Sequence, residues 1–307
     1  MYRSVFHIVI LFSTFFLNAL SEHKSVRMEK FISVSDSLNL WIETQGNIEN
    51  EACLFINGAG ANSSFWSDKL CNTLVEKGYY VIKYDHRDFG YSDKLDFDKQ
   101  PYDVMDLAND AITILDSLKV NKAHIVGHSM GGFIAQLLAI HYPERVISFA
   151  SISSSTNSPD IPQPPDRTWQ IFMENNPNGN IEEDLEGFLT VWKYLNGTAP
   201  FDEELAIEYT RSLYSRQEIK GALGASHVKA QANLTDRSEQ LKKVKLPALV
   251  MHGEEDYLVD KYGGIQTAEC IQGAKLVLIP NMGHIPFNRQ VLEQFDHEII
   301  QFINENN

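Results

Sequence analysis

The stretch Ile125-Val-Gly-His-Ser-Met-Gly-Gly132 decides the fold. It joins an apolar run, Ala123 to Val126, to a run of helical spacing, Met130 to Ile140. Ser129 stands between them, with Gly127 two residues before it and Gly131 two after. The pattern is G-x-S-x-G, a sharp strand-to-helix turn that lifts a serine hydroxyl clear of a sheet. Such a turn strains the serine backbone, and bulky neighbours would clash there, so glycine is needed on both sides. The helix that follows points its first N–H groups at the serine, which suits a developing negative charge. Glycine and serine are common residues. The apolar strand before, the helix after and a further glycine at 132 give the pattern its specificity.

Outward from this turn the chain alternates strands and helices. Phe31–Val34 and Leu38–Glu43 alternate in polarity around a Ser-Asp-Ser turn and predict an antiparallel hairpin. Ala52–Ile56 is a continuous apolar run of the kind buried in parallel sheets, and it ends in Asn57-Gly-Ala-Gly. A helix is expected over Phe65–Lys77, a strand over Tyr80–Tyr84, a helix over Tyr102–Leu118 and a strand over Val146–Ile152. The rhythm then breaks. Residues 153–245 contain no strong strand, and helical segments are expected at Trp169–Met173, Glu182–Leu195, Glu203–Tyr214 and Gln217–Gln231. A segment of that length without structure is rare in a compact domain, so a helical lid inserted over the sheet is expected. The alternation resumes with a strand near Pro247–Met251, a helix over Gly264–Ile271, a strand over Lys275–Ile279 and a helix over Val291–Ile303. The fold class is therefore α/β, with a mostly parallel twisted sheet of about eight strands covered by helices. The core occupies 22–152 and 246–307, with the insertion between.

In open α/β sheets the ligand lies beyond the carboxyl ends of the strands, so the loops there hold the candidate chemistry. After Leu246–Met251 comes His252-Gly-Glu-Glu-Asp-Tyr, and after Leu276–Ile279 comes Pro280-Asn-Met-Gly-His-Ile-Pro. A serine hydroxyl is a poor nucleophile at neutral pH. It needs a histidine to take its proton and a buried carboxylate to fix that histidine's tautomer. Ser129 is the candidate nucleophile, His284 the candidate base and Asp256 the candidate acid, with Glu254 or Glu255 as less favoured acids. The oxyanion formed on attack needs two backbone N–H donors. Met130, the residue after the serine, and Ala59, in the loop after Ala52–Ile56, occupy the right places.

These pieces together resemble the α/β-hydrolase fold superfamily over nearly all of the chain after its first residues. They are Asn57-Gly-Ala-Gly, Tyr84–Ser92, Gly127–Gly132, His252–Asp256 and Gly283-His284. Tyr84-Asp-His-Arg-Asp-Phe-Gly-Tyr-Ser is most similar to the aclacinomycin methylesterase-like branch. The resemblance implies a serine hydrolase acting on an ester or a related bond of a small or medium organic molecule, without a cofactor. It assigns Ser129, Asp256 and His284 to the triad, and Ala59 and Met130 to the oxyanion hole. Asn57 and Asp88 depart from the pattern, since many relatives carry histidine and glycine there. Amide, C–C and perhydrolytic chemistry, and a ligand-binding receptor on the same fold, stay open at this stage.

Composition bounds the remaining classes. The 307 residues carry a formal charge of −15 and no basic run, which disfavours nucleic acid as a partner. His86, His124, His141 and His227 lack metal-ligand spacing, and H-E-x-x-H is absent, so no metal site is expected. His128 cannot share the direction of Ser129 and reads as a supporting residue. Asp85, Arg87 and Asp88 read as a structural turn whose charges pair locally. Trp169, Phe172, Phe188, Trp192 and Tyr194 form an aromatic set that lines a pocket or packs a lid core. Arg3, the apolar run Val5–Leu17 and the small residues Ala19 and Ser21 read as an export signal cleaved after Ser21, with an uncleaved anchor as the alternative. The expected location is secreted or periplasmic, with no stable membrane insertion after cleavage. The three cysteines, Cys53, Cys71 and Cys270, form no C-x-x-C pair, and a Cys53–Cys71 bridge is left open.

Overall fold

The computed structural model of the protein describes residues 27–307, so the expected export signal lies outside the described residues. The strands are β1 (Met28–Ser35), β2 (Leu38–Gln45), β3 (Ala52–Ile56), β4 (Tyr80–Tyr84), β5 (Ala123–His128), β6 (Val146–Ile152), β7 (Ala248–Gly253) and β8 (Lys275–Ile279). They form one eight-stranded sheet in the order β1-β2-β4-β3-β5-β6-β7-β8. β1 and β2 form the antiparallel hairpin, β2 meets β4 antiparallel, and every later pairing is parallel. β3, β4, β5 and β7 are buried along their whole length, which is why their sequences are apolar runs rather than alternations.

The helices that cover the sheet are α1 (Asp68–Glu76), α2 (Val104–Ser117) and α3 (Met130–His141), with α9 (Lys261–Cys270) and α10 (Arg289–Glu305) near the C-terminus. Their starts follow capping chemistry. The Ser67 hydroxyl accepts the Leu70 N–H and begins α1 three residues after the predicted start, while Ser63–Phe65 forms a separate single turn. Asp103 and Asp106 cap α2 reciprocally. One apolar cluster lies where α2 and α3 face the sheet, and a second lies beneath α1 and α10. Cys53, Cys71 and Cys270 are all free and buried, so the bridge left open between the first two does not form.

Between β6 and β7 lie α4 (Asp166–Glu174), α5 (Ile181–Leu195), α6 (Glu203–Arg216), α7 (Ala225–Ala230) and α8 (Ser238–Leu241). The first three match the expected segments. The helix expected over Gln217–Gln231 does not form as one piece. Only α7 is helical, because Gly221 and Gly224 take left-handed backbone (φ +76 and +67) and break the run. Lys220 instead makes an isolated antiparallel bridge to Asn178. The aromatic set divides. Phe188 and Trp192 are buried in an apolar cluster that the insertion shares with Phe89, Ile285 and Phe287 of the core loops, Phe172 and Tyr194 pack against it, and Trp169 is exposed.

Candidate active site

β5 ends at His128, and Ser129 turns the chain into α3 with φ 55 and ψ −118, a backbone that a non-glycine residue adopts only under constraint. The constraint is steric. A Cβ on Gly127 would lie 2.0 Å from the Gly131 carbonyl oxygen, and one on Gly131 would lie 2.2 Å from the Ile56 carbonyl oxygen. The two glycines let the turn close on itself and on β3, rather than merely clearing space around the serine. Ser129 is held by its N–H donating to Ile152 O (2.8 Å) and its carbonyl accepting from Gly132 N–H (2.8 Å). Met130, the first residue of α3, has an N–H without an intrahelical partner by the geometry of any helix start.

The loop after β3 packs on this turn. A Cβ on Gly58 would sit 3.1 Å from the Ser129 Cβ and 3.4 Å from His128 Nδ1. Three bonds fix the loop's peptide planes. His86 Nε2–H donates to Asn57 O (3.0 Å), Ala61 N–H donates to Gly58 O (3.3 Å), and Gly60 N–H donates to His227 Nδ1 (3.2 Å). The Asn57 side chain donates to Tyr84 O (2.7 Å).

The candidate acid and base, Asp256 and His284, come from the loops after β7 and β8. His284 Nδ1–H donates to Asp256 Oδ2 at 2.8 Å, which leaves Nε2 as the free acceptor of the neutral ring. Asp256 Oδ1 accepts the N–H groups of Leu258 and Val259, both at 2.9 Å. His252 adds a second imidazole, its Nε2 lying 3.3 Å from the same Oδ2 and 2.9 Å from Val259 O. Burial by itself would raise the Asp256 pKa. The imidazoles of His284 and His252 outweigh it and hold the carboxyl well below the usual carboxylate range. Glu254 is exposed and Glu255 accepts the Thr198 N–H, so neither takes this place.

His128 ties the loop of His284 to the turn. Its Nε2–H donates to the His284 carbonyl (2.8 Å), and the two rings lie 5.0 Å apart. Burial, with the neighbouring His284 next, lowers its pKa to about 3, so it is a neutral donor. The helical insertion braces the same loop. Gly283 N–H donates to Asn196 O (2.9 Å) and Ile285 N–H to Leu195 O (3.2 Å), at the end of α5.

The charged turn after β4 departs from the expected local pairing. Asp85 is fully buried, accepts the N–H groups of Ser63 (2.8 Å) and Tyr91 (2.9 Å), and pairs with Arg216 at the end of α6 (3.1 Å). The Arg216 guanidinium lies over Trp41 and Tyr91, 4.7 and 5.0 Å from their ring centres. Arg87 forks onto Asp110 of α2 (2.6 and 2.8 Å). Asp88 stands in the left-handed region at φ 67, a backbone that glycine adopts without strain. The turn's ion pairs thus join the insertion and α2 to the core, beside the local bond from Tyr91 to Asp85.

Residues 52–288 match the family model of the alpha/beta hydrolase fold. The chain belongs to the α/β-hydrolase family. It is 31% identical over 276 residues to rhodomycin D methylesterase of Streptomyces sp. (strain C5), covering 81% of this chain and 90% of the relative. It is 27% identical over 256 residues to 3-oxoadipate enol-lactonase 2 of Acinetobacter baylyi, covering 83% and 90%. Among solved structures, a hydrolase from Pseudomonas aeruginosa PA01 superposes with a TM-score of 0.70 at 25% identity, covering 90% of this chain and 98% of that one. The α/β-hydrolase described here is thus an enzyme with an esterase among its relatives. His252 and His227 are the site-region residues that sequence reasoning missed. His252 lay in plain view, four residues before Asp256, but was read only as part of a turn.

Proposed function

We propose that this α/β-hydrolase is a serine esterase that cleaves a carboxylic ester of a small or medium organic acid. Ser129 Oγ attacks the ester carbonyl while His284 Nε2 takes its proton. The tetrahedral oxyanion accepts hydrogen bonds from the N–H groups of Ala59 and Met130. His284 returns the proton to the departing alcohol, leaving an acyl-enzyme at Ser129. Water activated by His284 then releases the acid. Asp256 keeps its charge throughout and stabilises the imidazolium. The observation that carries the reading is the buried His284–Asp256 pair, 2.8 Å apart on the loops after the last two strands and bonded through His128 to the strained turn at Ser129. The methylesterase relative makes esters of small alcohols, methyl esters first, the substrates to try.

The test is turnover of a panel of methyl, short-acyl nitrophenyl and lactone substrates, beside amide and C–C analogues. Ester cleavage is expected in the wild type and should fall by about 10⁴-fold or more in Ser129→Ala. Turnover retained in that variant, or confined to amide or C–C substrates, refutes the reading. The same proposal includes export, with cleavage after Ser21 as the N-terminal sequence reads. N-terminal sequencing of protein from the culture fluid or periplasm checks it, and a chain beginning at Met1 would sink that part.

A further inference from the structure

The loop that carries Ala59 is not held by the core alone. His86, from the loop after β4, bonds to Asn57 O at one end of it. The other end is held from the insertion. His227 of α7 receives the Gly60 N–H on Nδ1 (3.2 Å) and passes its own Nε2–H to Arg87 O (2.8 Å). A carbonyl only accepts, so the second bond fixes the proton on Nε2 and leaves Nδ1 free to accept. The two bonds therefore agree on a single neutral tautomer. His227 is 1% exposed, and burial lowers its pKa, which keeps it in that neutral form. The His86 and His227 rings stand 5.5 Å apart in an edge-to-face arrangement, so both clamps belong to one packed unit. Around His227 the backbones touch. A Cβ on Gly224 would lie 2.5 Å from Gly60 N, and one on Gly60 would lie 3.1 Å from Gly224 N.

The consequence for Ala59 follows from peptide geometry. A trans peptide points its N–H opposite its C=O. The Gly58 carbonyl bonds to Ala61 N–H, so the Ala59 N–H of the same peptide plane faces the other way. That plane sits between two others, one pinned through Asn57 O by His86 and one pinned through Gly60 N by His227. Releasing either outer plane leaves the middle one held on that side only by the longer Ala61 N–H bond (3.3 Å) and so less firmly oriented.

We infer that His227 is a positioning residue for the oxyanion hole: its Nδ1, delivered by the insertion, fixes the Gly60 peptide and through it the direction of the Ala59 N–H. The inference rests on the serine esterase reading above. The arrangement loads its effect onto the transition state, because the Ala59 N–H matters most when the carbonyl oxygen carries charge.

Two polar replacements separate this role from a merely structural one. Asn places its amide oxygen near the position of Nδ1, keeping the acceptor for Gly60 but losing the reach to Arg87. Gln places its amide nitrogen near Nε2, keeping the donor to Arg87 but losing the acceptor. In the full-length enzyme, His227→Gln should lower kcat on an ester about tenfold to a hundredfold with KM within about twofold. His227→Asn should keep kcat within about threefold of wild type. Gly224→Ala, which pushes on the Gly60 amide from outside the histidine, should lower kcat with KM preserved, and it serves should either histidine variant fail to fold. Wild-type kcat in His227→Gln or Gly224→Ala would overturn the inference. So would an equal loss in the Asn and Gln variants, or a change confined to KM or Tm. A wild type that turns over no ester, or a fully active Ser129→Ala, would instead overturn the reading beneath it. A Ser129-dependent esterase indifferent to these replacements would overturn the inference alone.

Discussion

The two sides of the site use the same side chain differently. On one side, His284 and His252 share the buried carboxylate of Asp256, at 2.8 and 3.3 Å. On the other, His86 and His227 form hydrogen bonds only with backbone carbonyl and amide groups. An imidazole beside a buried carboxylate gains a counterion for its protonated form and can cycle a proton. One that meets only backbone dipoles gains none. Burial then drives its pKa down, to about 3 for His86, and it serves as a fixed neutral donor or acceptor. What separates the proposed base and its neighbour from the two braces is the carboxylate, not the histidine.

The sharpest way to break this contrast is to remove the charge. Asp256→Asn keeps the shape and an acceptor for His284 but no longer stabilises the imidazolium. It should lower kcat by about 10⁴-fold, measured on the preferred ester, with the fold intact by circular dichroism. A loss under tenfold would mean that His284 does not depend on this carboxylate. A smaller effect is expected from His252→Gln. Its ring is the longer-range partner of Asp256 and also bonds to Val259 O, so a loss in kcat of about tenfold is expected, well short of that in Asp256→Asn. Equal losses would make His252 as necessary as the acid itself.

The third prediction concerns stability rather than rate. His86 and His128 both have folded pKa values near 3, against about 6.5 for an exposed histidine. Between those values the unfolded chain binds a proton at each site and the folded chain does not. Stability is therefore full above the unfolded pKa and falls as the pH drops below about 6.5, by roughly 2 kcal/mol per group at about pH 5. The groups facing them are His227 and Arg87 around His86, and His284, His252 and Asp256 around His128. Thermal melts from about pH 7 to 4 should show Tm falling with acidity, and His86→Asn should flatten that slope. An unchanged slope would mean that His86 is not neutral in the folded state.

How much of this was legible depended on what kind of contact decides each feature. The sheet followed from apolar runs, because strands buried on both faces tolerate little else. Ser129, Asp256 and His284 could be singled out as candidates because each sits in a short loop after a strand, where topology brings distant residues to one edge, and the structure brings Asp256 and His284 to 2.8 Å. The 217–231 segment differs from the single helix its spacing predicts. Its spacing is helical, but Gly221 and Gly224 take left-handed backbone, and at Gly224 that backbone serves a contact with Gly60 of the core that no local pattern displays. The Asp85 turn misled for the same reason. Its partner Arg216 lies 131 residues away, while a nearer arginine, Arg87, is engaged by α2. His227, lone and without metal spacing, carried no signal, since its meaning lies entirely in Gly60 and Arg87.

The backbone contact between Gly60 and Gly224 bears on how such enzymes diversify. Grafting the helical segment of a relative onto this sheet is an attractive route to new substrates, because it looks like a separable part. Here the graft would carry away one clamp of the loop beneath it, along with the α5 end that holds the loop of His284. A chimaera would have to import its own glycine and acceptor at these places. Otherwise it would gain a new specificity and lose turnover.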